Sequence, residues 1–335
     1  MTPTRPTPAE DSVTPLVQQR TAPAPHRSAA DWLRQQWALA RRPRIESGWA
    51  SVCGAGHERN QDAVLAAAPL FAVADGVGGG SAGELASSQM LAWCRAIQPA
   101  DWRRPEALAA KLRESDAALA SALERLSPGG RSATTFAGAW LRSSGHGVVA
   151  HVGDSRVLQL RPRPGAWRST WLTVDQTYAN LGELPPEGGR PDDPARMVGV
   201  GAIGDPPVAR IRLRENDWLL LCSDGLYRFV PEPTLAAMCQ RAAAAPLHDL
   251  AQQLAGAAGR AGSRDDISVV LVRRNPLGGA RIPFWLALVA SVIAALALLA
   301  STFIRQGVAA GDVPASLPAA STPSSAGSAA PLLPR

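Results

Sequence analysis

Two apolar runs, Phe71 to Ala74 and Trp218 to Ser223, each end in the same dipeptide, Asp75-Gly76 and Asp224-Gly225, where a strand should stop and a loop begin. A buried β-run delivers a carboxylate to a fixed point. The glycine that follows lets the backbone turn sharply and present its own carbonyl, so that hard divalent cations find oxygen ligands. A third carboxylate source, Arg264-Asp265-Asp266, precedes a last apolar run, Ile267 to Val272. Three such ends aimed at one spot would repel one another without cations between them. An isolated Asp-Gly is an ordinary turn signal, but the repetition predicts a hydrolase built around Mg²⁺ or Mn²⁺.

The elements that must position these groups can be read from hydrophobic periodicity. Strands are predicted at Trp49–Cys53, Phe71–Ala74, Thr134–Leu141, Gly147–Val152, Val157–Leu160, Trp167–Thr173, Trp218–Cys222 and Ile267–Val272. Helices are predicted at Ala82–Ile97, Pro105–Leu126, Thr234–Ala244 and Leu247–Ala258, in two pairs, one between early strands and one before the last strand. Consecutive strands with helices grouped outside them imply an α+β layered protein, as opposed to a regularly alternating doubly wound one.

Composition divides the 335 residues into a Pro/Arg-rich segment 1–43, a globular region 44–275, an apolar stretch 282–304 and a Pro/Ser/Ala-rich tail 305–335. The net charge of +6 sits mostly in the ends: 1–43 carries six Arg against three acids and 276–335 three Arg against one, leaving +1 for the middle. A nearly balanced catalytic region without a basic stripe argues against nucleic acid as a partner. Cys53, Cys94, Cys222 and Cys239 lack CxxC spacing and read as buried free thiols of a reducing compartment.

Ile282 to Ile304 contains no charged residue, and at about 1.5 Å per residue it matches a hydrocarbon core of roughly 30 Å, so it is expected to be a transmembrane helix. Arg273, Arg274 and Arg281 flank it on one side and Arg305 on the other. By the positive-inside rule this keeps the catalytic domain of a single-pass protein in the cytoplasm. The first residues lack the apolar run of a signal peptide. Ala30 to Arg42, with Trp32, Leu33, Trp37 and Leu39 among several Arg, reads as a short amphipathic helix, either membrane-facing or packed on the domain.

Several motifs occur in one order: RNQDA (Arg59–Ala63), FAVADGVGG (Phe71–Gly79), AGELAS (Ala82–Ser87), SATT (Ser132–Thr135), VGDSR (Val152–Arg156), LTVDQT (Leu172–Thr177), LLLCSDGL (Leu219–Leu226) and SRDDISVV (Ser263–Val270). In these the chain resembles the metal-dependent protein serine/threonine phosphatases of the PPM family, protein phosphatase 2C type, across nearly all of residues 47–273. The resemblance implies a four-layer α-β-β-α sandwich, two antiparallel sheets flanked by helix pairs. It implies Mn²⁺ or Mg²⁺, two ions with a third optional. Asp75 would bridge two metals, the Gly76 carbonyl would bind one, Asp224 and Asp265 would complete the other, and a water between them would attack phosphorus in line. Asp62 would hydrogen-bond metal-held water. Asp154 either joins Asp224 around a third, loosely held cation or only fixes a turn. Glu84 reads as a helical residue, and Thr134 and Thr135 as strand packing.

Departures from the family pattern bear on activity. The phosphate-gripping Arg usual five residues before the Asp of the NQD motif is His57 here, leaving His57 or Arg59 as substrate phosphate-binding groups; neither supplies the same bidentate fork in the same place. Val77 stands where eukaryotic members carry a histidine proposed as leaving-group acid. Asp266 replaces a common Asn, and the flap between Asp175 and Gly204 is short and rich in Gly and Pro. The implied function is a membrane-anchored phosphatase acting on phosphoserine and phosphothreonine of cytoplasmic proteins, among them targets of a Ser/Thr kinase. The alternatives are a catalytically weak phosphoprotein-binding scaffold of the same fold, or a hydrolase of small phosphate esters.

Overall fold

The apolar runs Leu70–Ala74 and Trp218–Cys222 form strands buried along their whole length, because they are covered on both faces. In the computed structural model, which describes residues 44–276 except 79–80, 127–131 and 202, together with 292, 293 and 296, two five-stranded antiparallel sheets lie face to face. One runs in the order β1 (Ile45–Val52), β12 (Ile267–Arg274), β11 (Trp218–Cys222), β8 (Arg156–Arg161), β9 (Arg168–Trp171). The other runs β10 (Val208–Arg212), β7 (His146–Val152), β6 (Phe136–Leu141), β3 (Leu70–Ala74), β2 (Ala63–Ala67). A short pair, β4 (Gly76–Val77) with β5 (Ala133–Thr134), stands apart.

The period-two alternation of a strand sorts each run between two cores. Phe71 and Val73 of β3 meet Leu219 and Leu221 of β11 and Val270 and Val272 of β12 between the sheets. The intervening Leu70, Ala72 and Ala74 face outward, where they pack beneath Met90 and Cys94 of α1 (Ser81–Ala96) and Leu108, Leu112 and Leu119 of α3 (Pro105–Leu126). Trp218, Leu220 and Cys222 face the opposite layer, with Leu235 and Cys239 of α6 (Glu232–Arg241) and Leu250 and Leu254 of α7 (Leu247–Arg260). The remaining helical segments are single turns: α2 (Pro99–Trp102), α4 (Tyr178–Leu181) and α5 (Asp224–Tyr227). Each large apolar side chain so buried contributes roughly 1.5–3 kcal/mol, so the strands that carry Asp75 and Asp224 are held firmly.

The four main helices fall within a few residues of their predicted spans, and the expected strands form with three differences. Thr134–Leu141 is not one strand: the ladder breaks at Thr135, between β5 and β6. Three strands escaped the pattern, among them the two-residue β4, which forms where a loop was expected to begin. β2 is an alanine-rich AVLAA run, and β10 is the edge strand VARIR, whose Ala209, Arg210 and Arg212 are exposed and mask its alternation. Asp224-Gly225 opens a helical turn, α5, where a loop was expected. All four cysteines are free, but Cys53 is exposed, because it lies just past the end of β1 where the chain leaves the sheet.

The chain divides into two units, Met1–Gly278 and Gly279–Arg335. The expected amphipathic stretch 30–42, the segment 1–43 and the tail 305–335 lie outside the described residues, as does the expected span 282–304 apart from Val292, Ile293 and Leu296. Among the described residues no helix is long and apolar enough to cross a membrane.

Candidate active site

Asp75 stands at the end of β3, where its carbonyl accepts hydrogen bonds from the Thr135 amide (2.8 Å) and the Thr134 hydroxyl (2.9 Å). The break in the ladder at Thr135 makes that grip available, so the buried threonines fix the strand end, and Thr135 also borders the cleft. Gly76 follows in a space with no room for a side chain: a Cβ there would fall 2.3 Å from the Gly83 carbonyl oxygen and 2.5 Å from that of Gln61. Gly225 is equally confined, a Cβ falling 2.1 Å from the Asp266 carbonyl oxygen. Both Asp-Gly pairs therefore use glycine for close backbone approach.

Asp224 leaves the end of β11 through Ser223, whose amide donates to the Ser268 carbonyl (3.1 Å) and whose hydroxyl accepts from the Ser268 amide (2.9 Å). The same hydroxyl donates to Asp62 Oδ2 at 2.8 Å. Strand β12 thereby ties Asp62 and Asp224 to one frame. Asp265 lies immediately before β12, its Oδ1 accepting from the Asp266 amide at 2.8 Å.

The charges of these groups act on one another. Burial, followed by the charges of Asp62, Asp224, Asp154 and Asp265, raises the Asp75 carboxyl well above the ordinary range. Burial and its neighbours push Asp62 and Asp224 each up to about 7. Residues far apart in sequence thus share one field, as expected where a cation is to be held. Among the described residues no three His, Cys, Asp or Glu side chains are already gathered into a finished metal-holding group. The fit to divalent ions rests instead on chemistry: Asp62 Oδ1 and Asp224 Oδ1 are buried without any hydrogen-bond partner, and an unsatisfied buried carboxylate oxygen is costly unless something cationic meets it.

These residues border a cleft of about 980 Å³ lined by Asp75, Gly76, Asp154, Asp224 and Asp265, with Asp62 behind the wall. His57 and Arg59 line it too. His57 Nδ1 lies 3.0 Å from Asp266 Oδ2 and 3.8 Å from Asp265 Oδ1. Burial works against its charge, but the hydrogen bond and charge of Asp266, with those of Asp265 and Asp62, outweigh it and raise the imidazole. Asp266 also accepts from the Gly54 amide (2.8 Å) and the Gln61 amide (2.7 Å), so this buried carboxylate organises the whole loop that carries His57 and Arg59. Glu84 is absent from the cleft lining.

Sequence reasoning missed Arg228, one turn after Asp224. Its Nε lies 2.9 Å from Asp224 Oδ2 and its Nη2 3.0 Å from Asp154 Oδ2. Only its i,i+4 spacing from Asp224 was visible in the sequence. Tyr178, Arg190 and Met197, on the flap between Asp175 and Gly204, also line the cleft. The flap is anchored: Asp116 of α3 accepts from the amides of Gly199 (2.7 Å), Gly201 (3.0 Å) and Ile203 (3.1 Å). At its start Asp175 takes a bidentate grip from Arg156, Nε at 2.8 Å and Nη2 at 2.6 Å.

The sequence model of the family described as Stage II sporulation protein E (SpoIIE) matches residues 68–275, and the two-sheet architecture is that of the protein phosphatase 2C type. The chain belongs to the PPM family. It is 30% identical over 220 residues to the serine/threonine protein phosphatase PstP of Mycobacterium tuberculosis, a match covering 63% of this chain and 41% of that relative. The chain therefore spans less than half the length of PstP. It is 28% identical over 222 residues to the serine/threonine phosphatase Stp of Listeria welshimeri, covering 62% of this chain and 85% of Stp. The crystal structure of the PstP catalytic domain, in complex with two manganese ions, aligns with a TM-score of 0.58 at 28% identity, covering 69% of this chain and 99% of that one.

Proposed function

We propose that this PPM-family chain is a protein serine/threonine phosphatase that hydrolyses phosphoserine and phosphothreonine with a pair of Mn²⁺ or Mg²⁺ ions. The observation that carries this is the elevation of Asp62, Asp75 and Asp224, first by burial and then by neighbouring carboxylates, with two buried carboxylate oxygens unpartnered. PstP, whose catalytic domain was crystallised with two manganese ions, supports the same assignment. Asp75, the Gly76 carbonyl, Asp224 and Asp265 would hold the ions, which supply a nucleophilic water near neutral pH and offset charge on the phosphoryl group. Asp62, steadied by the Ser223 hydroxyl, would accept a proton or hydrogen bond at its unpartnered Oδ1. Arg59 and the raised imidazole of His57 offer positive charge to the substrate phosphate at the cleft edge. The purified full chain should hydrolyse a phosphopeptide only with Mn²⁺ or Mg²⁺ present, and Asp75→Asn should abolish this; activity persisting in excess chelator would defeat the assignment.

We also propose that the chain is anchored in a bacterial cytoplasmic membrane by residues 282–304, with the catalytic domain cytoplasmic and acting on proteins phosphorylated by a Ser/Thr kinase. The uncharged 282–304 stretch and its Arg-rich N-terminal flank support this. Removing residues 276–335 should release the protein from carbonate-washed membranes, and full retention of the truncated chain would refute the anchor. A second reading, a weak phosphoprotein-binding scaffold, is favoured by the engagement of His57 with Asp266. Tight phosphopeptide binding without turnover, with turnover created by His57→Arg, would select it.

A further inference from the structure

Asp154 and Asp224 raise a question the metal pair leaves open, because two carboxylates in one field need a cation between them. Asp154 has 3% of its side chain exposed and Asp224 16%, so water does little to screen them. Their partner in the fold is Arg228. It follows the single turn α5, its amide donating to the Asp224 carbonyl at 3.1 Å, and this backbone bond aims the side chain back over the turn. Nε then meets Asp224 Oδ2 at 2.9 Å and Nη2 meets Asp154 Oδ2 at 3.0 Å, so one guanidinium spans the two carboxylates. The same Nη2 donates to the Asp192 carbonyl at 3.3 Å, joining the flap to this spot. Asp224 keeps its Oδ1 buried and without a partner, so it retains an oxygen for a divalent ion while its Oδ2 is met by Arg228.

Resting on the metal-dependent reading above, we propose that Arg228 is a built-in cation that fills the slot between Asp154 and Asp224, so that this chain takes two divalent ions and Asp154 ligates neither. A guanidinium suits this place because it is planar, permanently charged and able to reach two acceptors at once. It cannot dissociate, so the slot stays filled by a cation at any ion concentration. Asp154 is thereby a positioning residue, holding Arg228 and, through it, the flap.

Counting bound Mn²⁺ tests this, by titrating the full chain and following free Mn²⁺ by electron paramagnetic resonance, with folding checked by circular dichroism. The wild type and Asp154→Asn should each bind two ions per chain. Arg228→Ala should gain a third, weaker ion, and Arg228→Ala combined with Asp154→Asn should return to two. A wild type that binds three ions with Asp154→Asn binding two, or a folded Arg228→Ala that still binds two, would overturn the proposal. If Arg228→Ala fails to fold, the comparison of wild type with Asp154→Asn decides alone: an equal count of two supports the proposal, and an ion lost overturns it. A wild type that binds no Mn²⁺ at millimolar concentration would instead remove the metal-dependent assignment, and this inference with it.

Discussion

Stripped of divalent ions by EDTA, the folded chain holds Asp62 in surroundings that disfavour its charge. Burial, helped by the charges of Asp266 and Asp224, outweighs hydrogen bonds from Ser268 and Ser223 and pushes the carboxyl from 3.8 up to about 7. A carboxyl raised in the folded state stabilises the fold fully below its unfolded value, and that contribution is lost as pH rises through the folded value. Between about pH 5 and about pH 7, at about 1.4 kcal/mol per pH unit, Asp62 should remove about 3 kcal/mol of stability from the metal-free chain. Asp224, also raised to about 7, titrates in the same window and adds to the slope. Asp62→Asn keeps an oxygen to accept from the Ser223 hydroxyl but has no charge to bury. Its metal-free stability should fall less steeply, exceeding that of the wild type above about pH 7 by up to about 4 kcal/mol. Urea unfolding followed by tryptophan fluorescence, in EDTA at several pH values from about 5 to about 8, reads both curves. Added Mn²⁺ should restore the wild type most at the alkaline end and the variant much less. Parallel pH profiles for the two proteins would refute the reasoning, since the carboxylate would then carry no burial cost that a cation relieves.

Three other substitutions probe the frame around the site. Gly225→Ala places a Cβ against the Asp266 carbonyl oxygen, so it should cost about 1–3 kcal/mol in urea unfolding and weaken Mn²⁺ binding, because the relieving shift displaces Asp224. Asp266→Ala leaves the Gly54 and Gln61 amides without their acceptor; a loss on the order of 3 kcal/mol is expected, together with a fall in the His57 titration midpoint read by NMR. Asp116→Ala frees three flap amides at once, so hydrogen exchange at Gly199, Gly201 and Ile203 should accelerate while the strands stay protected. Unchanged exchange there would mean that the flap is held by its other bonds, such as the Val198 amide to the Thr134 carbonyl at 2.7 Å.

What the sequence determined by itself was whatever depends on near neighbours. Phe71–Ala74 and Trp218–Cys222 read as buried strands because every residue in them is apolar, and being covered on both faces is why they are. The helices are carried by local periodicity, and the two Asp-Gly pairs stand where those strands end. β2 and β10 were not legible, since an alanine run has little hydrophobic contrast and an edge strand lets its arginines face water. The meeting of Asp62 with Ser223, of His57 with Asp266 and of Arg228 with Asp154 belongs to tertiary structure, for these partners lie 161, 209 and 74 residues apart. No local rule links such positions: only the pairing of β11 and β12, and the stacking of their sheet on the one that ends at Asp75, brings the charges into one field. Sequence thus identifies the carboxylates that can hold cations, while packing decides that Arg228 meets both Asp154 and Asp224 and leaves Asp224 one buried oxygen free.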